Sequence, residues 1–170
     1  WRMWDAPQTL SLPAAATPEI LAADLSGLVL DLAAWGESAP DKLCWLDPPP
    51  SGAWAEARAL LEGLGALDAA GRLTAEGRRL REVPLPPRLA RMVVDGARAG
   101  AGRLAAEIAV VLSERGLGGS DVELESRLSA FRRDRTPRAE EARRIAARFA
   151  RLAGDRGGEA AVSPAVLLAQ

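Results

Sequence analysis

The chain has 170 residues, 48% of them apolar, with five Trp, two Phe, no Tyr and no His; that is enough for one large or two small cores, and it excludes Ser-His-Asp and Cys-His catalysis and His-ligated metal. A net charge of −1 hides an asymmetry: residues 1–84 carry 7 basic and 12 acidic side chains, and residues 85–170 carry 15 and 11. The single Cys44 forbids an internal disulfide and fits a reducing cytoplasm, and no stretch is apolar over the roughly 18 residues that a membrane span needs.

Residues 1–16 show no helical period and suggest an extended surface segment. The first residues have no signal-peptide layout and no initiator Met, as expected of a fragment. Thr17-Pro18-Glu19 is laid out as a helix start, with a capping hydroxyl, proline at the first position and an acid after it. Leu21, Leu25, Leu28, Leu32 and Trp35 recur at steps of four and three, which predicts one apolar face ending at Gly36. Residues 41–46 predict a short helical piece, stopped by Asp47 and three prolines, with Cys44 as a buried core thiol beside Trp45. Ser51 is placed to cap a helix whose inner side is Trp54, Ala57, Leu61 and Leu64. Asp68-Ala69-Ala70-Gly71 has turn chemistry, so residues 66–74 predict one two-stranded hairpin. Thr74 caps a short helix holding Leu80, and Pro84, Pro86 and Pro87 force a bend. Leu25, Leu28, Leu32, Leu61, Leu64 and Leu80 are expected to share one core.

A series of helices follows. Leu89, Met92, Val93 and Ala97 mark the core face of the first, with Arg88, Arg91, Asp95 and Arg98 opposite. Leu104, Ile108, Val111 and Leu112 mark the second, which Gly116-Leu117-Gly118-Gly119 breaks. Ser120-Asp121-Val122-Glu123 has capping-box spacing and predicts a third helix with Leu124, Leu128 and Phe131 inside. Thr136-Pro137 opens a fourth, with Ile145, Phe149 and Leu152 inside and Gly154, Gly157 and Gly158 ending it. Val166-Leu167-Leu168 has the composition of a strand cut from a following domain.

Catalytic chemistry is sparse. No G-x-x-x-x-G-K-[ST] loop occurs, and Lys42, the only lysine, has no glycine loop before it. Glu140 and Glu141 point about 100° apart on a helix and do not form an acid pair, whereas Glu140 lies one turn from Arg144. The one suggestive cluster is basic: residues 127–151 hold nine Arg against three acids. Arg132, Arg133 and Arg135 flank a helix junction, and Arg144, Arg148 and Arg151 fall at i, i+4, i+7 on one stripe. Arginine forks suit phosphate oxygens, although a solvated helix face or an arginine-rich genome accounts for the same run. With no Tyr and few Phe for stacking, nucleic-acid contact would go to the backbone with little sequence preference. The candidate contacts are Arg132, Arg133, Arg144 and Arg148.

The ordered phrases Leu46-Asp47-Pro48-Pro49-Pro50, Leu64-Gly65-Ala66-Leu67-Asp68, Gly71-Arg72-Leu73-Thr74, Gly77-Arg78 and Leu85-Pro86-Pro87-Arg88-Leu89-Ala90 resemble the winged-helix and ratchet region of DEAH-box helicases. The resemblance covers nearly the whole chain, most strongly residues 17–115. It implies a mainly α fold: a winged-helix domain with one small β-hairpin at 17–85 and a helical, ratchet-like bundle at 86–155. Residues 1–16 would be the tail of a preceding RecA-like domain, and 156–170 a linker toward the next. In that family the RecA-like motors bind and hydrolyse ATP with Mg²⁺, while the winged helix and ratchet pack on them and help enclose single-stranded RNA. The chain carries neither motor, so the resemblance implies no catalysis and no cofactor for the fragment itself. It implies single-stranded RNA, or DNA, and the motor domains of the same chain as partners of a cytoplasmic monomer off the membrane. An intramolecular docking scaffold without nucleic-acid contact remains the alternative.

Overall fold

The computed structural model describes residues 17–155 and 164–168. The expected extended tail at 1–16, the glycines 157 and 158, and most of the expected linker lie outside the described residues. Within them the chain is mainly helical: α1 (Ser26–Trp35), α2 (Ser51–Gly63), α3 (Ala75–Glu82), α4 (Pro87–Arg98), α5 (Gly102–Ser113), α6 (Leu124–Arg133), α7 (Pro137–Leu152) and α8 (Pro164–Leu168).

The long first helix expected from residue 19 is instead split. A 3₁₀ turn spans Glu19–Leu21, and α1 restarts where the Asp24 carboxylate accepts the Ser26 N–H at 2.8 Å. The restart turns the inner face onto Leu25, Val29, Leu30, Leu32 and Ala33, leaving Trp35 79% exposed. Gly36 ends α1 in the left-handed conformation, as its position predicts. The helical piece expected at 41–46 shrinks to a 3₁₀ turn, Pro40–Lys42, whose Pro40 carbonyl accepts the Trp45 indole N–H at 2.7 Å. Beyond it side chains alternate: Leu43 and Trp45 pack on the core, while Cys44 and Leu46 face solvent. An extended segment sends neighbours to opposite sides, so Cys44 is exposed and not the core thiol predicted.

Helix α2 buries Trp54, Ala57 and Leu61 as expected, but Ser51 makes no side-chain cap. The predicted hairpin is represented by a single antiparallel bridge between Leu67 and Leu73. Asp68 organises that turn: its Oδ1 accepts the N–H groups of Ala70 and Arg72, each at 2.9 Å. Thr74 then caps α3 as predicted, its Oγ1 accepting the Gly77 N–H at 3.0 Å and donating to the Gly65 carbonyl at 2.6 Å. Gly77 is required there, because a Cβ would collide with the Ala66 carbonyl.

Helix α5 is the centre of the second half. It packs against α4, α6, α7 and α8, and residues 105–111 are buried on every side. Short side chains permit this crowding: a Cβ on Gly96 of α4 would lie 2.6 Å from that of Ala105. Helix α7 faces α5 through Ala139, Ala142, Ala146, Phe149 and Ala150. The expected core residues Ile145 and Leu152 are 37% and 39% exposed, because the alanine ridge lets the two helices approach closely and takes the inner face. The capping box at Ser120 does not form. Asp121 accepts the Glu123 N–H at 3.0 Å, and α6 starts three residues after that aspartate. Residues 166–168 belong to helix α8 instead of a strand, and Leu167 is buried against α4 and α5. All these buried residues form one contiguous cluster. It contains Leu25, Leu32, Leu61 and Leu80, with Leu28 and Leu64 half-buried against it.

Candidate nucleic-acid interface

Helices α6 and α7 meet at Asp134-Arg135-Thr136. Asp134 Oδ1 accepts the Thr136 N–H at 2.8 Å, which holds the carboxyl below the usual carboxylate range. Thr136 Oγ1 in turn accepts the Ala139 N–H at 3.3 Å, as the Thr-Pro start predicts. The inward alanine ridge fixes the rotation of α7. Arg144, Arg148 and Arg151 therefore lie together on its outer side, all exposed.

The four predicted contacts divide into two kinds. Arg132 is committed: its Nε and Nη2 donate to Glu107 Oε2 at 2.7 and 2.6 Å. The Glu107 side chain is only 7% exposed, and its other neighbour, Arg103, stands off at 3.5 Å. Arg144 pairs with Glu141 at 3.0 Å, not with the expected Glu140, and both side chains are largely in solvent. Glu107 is buried but the Arg132 side chain is 51% exposed, so losing Arg132 strands a buried acid at a cost below the roughly 3–5 kcal/mol of a fully buried pair, whereas an exposed pair is worth about 0–1 kcal/mol. Arg133 and Arg148 make no ion pair or side-chain hydrogen bond among the described residues, nor does Arg151. Arg133 borders a shallow cleft with Gly118, Ser120 and Ser129, away from the outer α7 row.

Three further residues emerge only in three dimensions. Arg127 Nη2 donates to the carbonyls of Val111 and Leu117 at 2.7 and 3.3 Å, closing the end of α5, while its Nε is buried without a partner among the described residues. Arg143 donates to the Phe131 carbonyl at 2.7 Å and sits 5.6 Å from the centre of that ring. Glu107 is the buried acid already described. Its signal in the sequence is a single acid inside the apolar run 104–112.

A second charged network ties α3 to α4. Glu76 accepts from Arg91 at 3.1 Å and from Arg98 at 2.6 Å. Asp95 takes the remaining faces of both arginines, and Arg91 also donates to the Leu64 carbonyl at 3.1 Å. The Arg98 hydrogen bond holds the Glu76 carboxyl below its ordinary range, against the opposing effect of burial. The reciprocal bond from Glu76 raises Arg98. Among the described residues no group of three or more acidic or thiol side chains is placed to hold a metal ion.

No family model matches the chain. The chain is 42% identical to the ATP-dependent RNA helicase HrpB of Escherichia coli over 106 residues, which is 62% of this chain and 13% of that protein. It is 33% identical over 117 residues to E. coli HrpA, an ATP-dependent RNA helicase, and 32% identical over 102 residues to the human probable ATP-dependent RNA helicase DHX35. The chain thus spans only 9–14% of the length of these relatives. Two crystal structures of E. coli HrpB superpose on 97% of this chain with TM-scores of 0.71 and 0.74 at 34% and 36% identity, using 19% and 20% of their own chains. Sequence and fold together define the class: the chain is homologous to one region of a DEAH/RHA helicase. E. coli HrpB is similar to the chain in both sequence and fold.

Proposed function

We propose that the chain is the winged-helix and ratchet-like accessory region of an HrpB-like ATP-dependent RNA helicase. It packs on RecA-like motor domains of the same protein and helps enclose single-stranded RNA. The proposed winged helix, 17–85, comprises α1 to α3 with the bridged turn at 67–73; the ratchet-like bundle is 86–155. Residues 1–16 lead into the winged helix and 156–170 lead on from the bundle, with α8 packed back against α4 and α5. ATP and Mg²⁺ belong to the motor domains in this proposal, and no catalytic step falls to the chain's own residues. The setting is a cytoplasmic monomer that accepts single-stranded RNA, or DNA.

The observation that carries the proposal is the outward basic row on α7, with Arg148 and Arg151 unpaired among the described residues. A separate feature favours docking by the other half. Residues 1–84 are net −5, and Trp35 and Leu46 stand 79% and 99% exposed there. Large exposed apolar side chains suit a protein surface better than a polyanion. If docking is the whole function, the chain does not bind RNA.

The deciding experiment is fluorescence anisotropy of a labelled single-stranded oligouridylate with the 170-residue chain across a salt series. Phosphate contact makes log affinity fall with log salt, by about 0.7 per contact. Three contacts therefore give a slope of about −2. No binding at low salt, or binding indifferent to salt, overturns the RNA function and leaves the docking scaffold.

A further inference from the structure

We infer that the RNA-facing surface is the outer row Arg144, Arg148 and Arg151 of α7, and that Arg132, half exposed but tied to the buried Glu107, is a positioning residue. The assignment rests on the RNA-binding function proposed above, and it changes which residues perform it.

What separates the arginines is the consequence of letting each one go. Arg132 places two N–H groups on one oxygen of a carboxylate sealed between α5 and α6. If it swung out to a phosphate, the Glu107 carboxyl would be left in the core with only Arg103 nearby, at 3.5 Å. A buried carboxylate without its partner is strongly unfavourable, so Arg132 stays where it is. Arg144 gives up only an exposed pair with Glu141, and Arg148 and Arg151 give up nothing among the described residues.

The surroundings of the row match a polyanion. Residues 142–152 contain no acid, so beyond Glu141 nothing on α7 competes for the guanidinium groups. At 1.5 Å rise per residue the three arginines form a straight rail roughly 10 Å long. Ile145 and Leu152 flank it, each partly exposed, and offer an apolar shoulder for sugars and base edges without hydrogen-bond readout. A basic rail beside an apolar shoulder holds a single strand by its backbone and tolerates any sequence. Arg132 contributes indirectly, by tying α6 to α5 and so fixing the junction from which α7 departs.

The test compares three forms of the chain by oligouridylate anisotropy across a salt series, with a thermal melt of each. Arg144→Ala/Arg148→Ala/Arg151→Ala is expected to keep its melting temperature and to lose about two units of salt slope, at about 0.7 per contact. Arg132→Met is expected to lower the melting temperature. Adding Glu107→Leu to it removes the stranded charge, so that the double variant regains the melting temperature and keeps the wild-type slope. A triple variant with the wild-type slope overturns the assignment, whatever the double variant does. A folded double variant whose slope drops by about 0.7 or more also overturns it, while RNA binding by the chain still stands. Failure of the wild-type chain to bind at low salt overturns both.

Discussion

Replacing Glu76 by Gln probes the joint between α3 and α4, and its effect should depend on pH in a defined way. Glu76 accepts hydrogen bonds from Arg91 and Arg98, and its side chain is 22% exposed. Gln keeps the shape and one acceptor oxygen but removes the charge and turns an amide donor toward two cations. Asp95 continues to hold both arginines, so the loss is the difference between charge-assisted and neutral hydrogen bonds, about 1–2 kcal/mol at neutral pH. For a domain of this size that lowers the melting temperature by about 2–8 °C. The Glu76 carboxyl lies below its ordinary range in the folded chain, chiefly through the Arg98 hydrogen bond. Its contribution is therefore fully present above the ordinary glutamate pKa of about 4.3 and is lost as pH falls through the lowered folded value. Circular-dichroism melts of wild type and Glu76→Gln at steps from neutral to acid pH should show a gap that is constant near neutrality. The gap should close below the ordinary carboxylate range. A gap that persists unchanged into strong acid, or no gap at pH 7, would refute the account of this joint.

Other expectations follow from packing. Leu61 is fully buried, so Leu61→Ala should destabilise by about 2–5 kcal/mol in denaturant titration. Gly118 and Gly119 both have positive φ, but only at Gly118 would a Cβ strike the Arg127 backbone. Gly119→Ala should therefore cost only the left-handed penalty of roughly 1–2 kcal/mol, and Gly118→Ala measurably more. On α7, Ala146→Leu should overpack the α5 contact and cost about 1–3 kcal/mol, while the partly exposed Ile145→Ala should cost clearly less; the reverse order would restore the larger residues to the core.

Much of the helical plan was legible because short-range chemistry decides it. Thr74 and Thr136 cap the helices they precede, Gly36 stops α1, and apolar steps of three and four in α2 pick out Trp54, Ala57 and Leu61. The misses occur where tertiary packing overrides local pattern. Size alone favours Ile145 and Leu152 for the core of α7, but an alanine ridge permits a closer helix contact than either. Cys44 follows from extended alternation in a segment that composition suggests is helical. At the candidate interface the periodicity of Arg144, Arg148 and Arg151 was visible, since rotation about one helix is local. The commitment of Arg132 was not visible, because its partner Glu107 lies 25 residues away on another helix.

The most direct test of RNA contact by this chain is the side-chain N–H spectrum of its arginines, recorded by NMR while single-stranded oligouridylate is titrated in at low salt. The Nε–H signals of Arg144, Arg148 and Arg151 should move progressively with added RNA and return when salt is raised. The Arg132 Nε–H, already donating to Glu107, should hold its position. A spectrum that RNA leaves unchanged, or one in which Arg132 moves while the outer row of α7 stays still, would contradict the account.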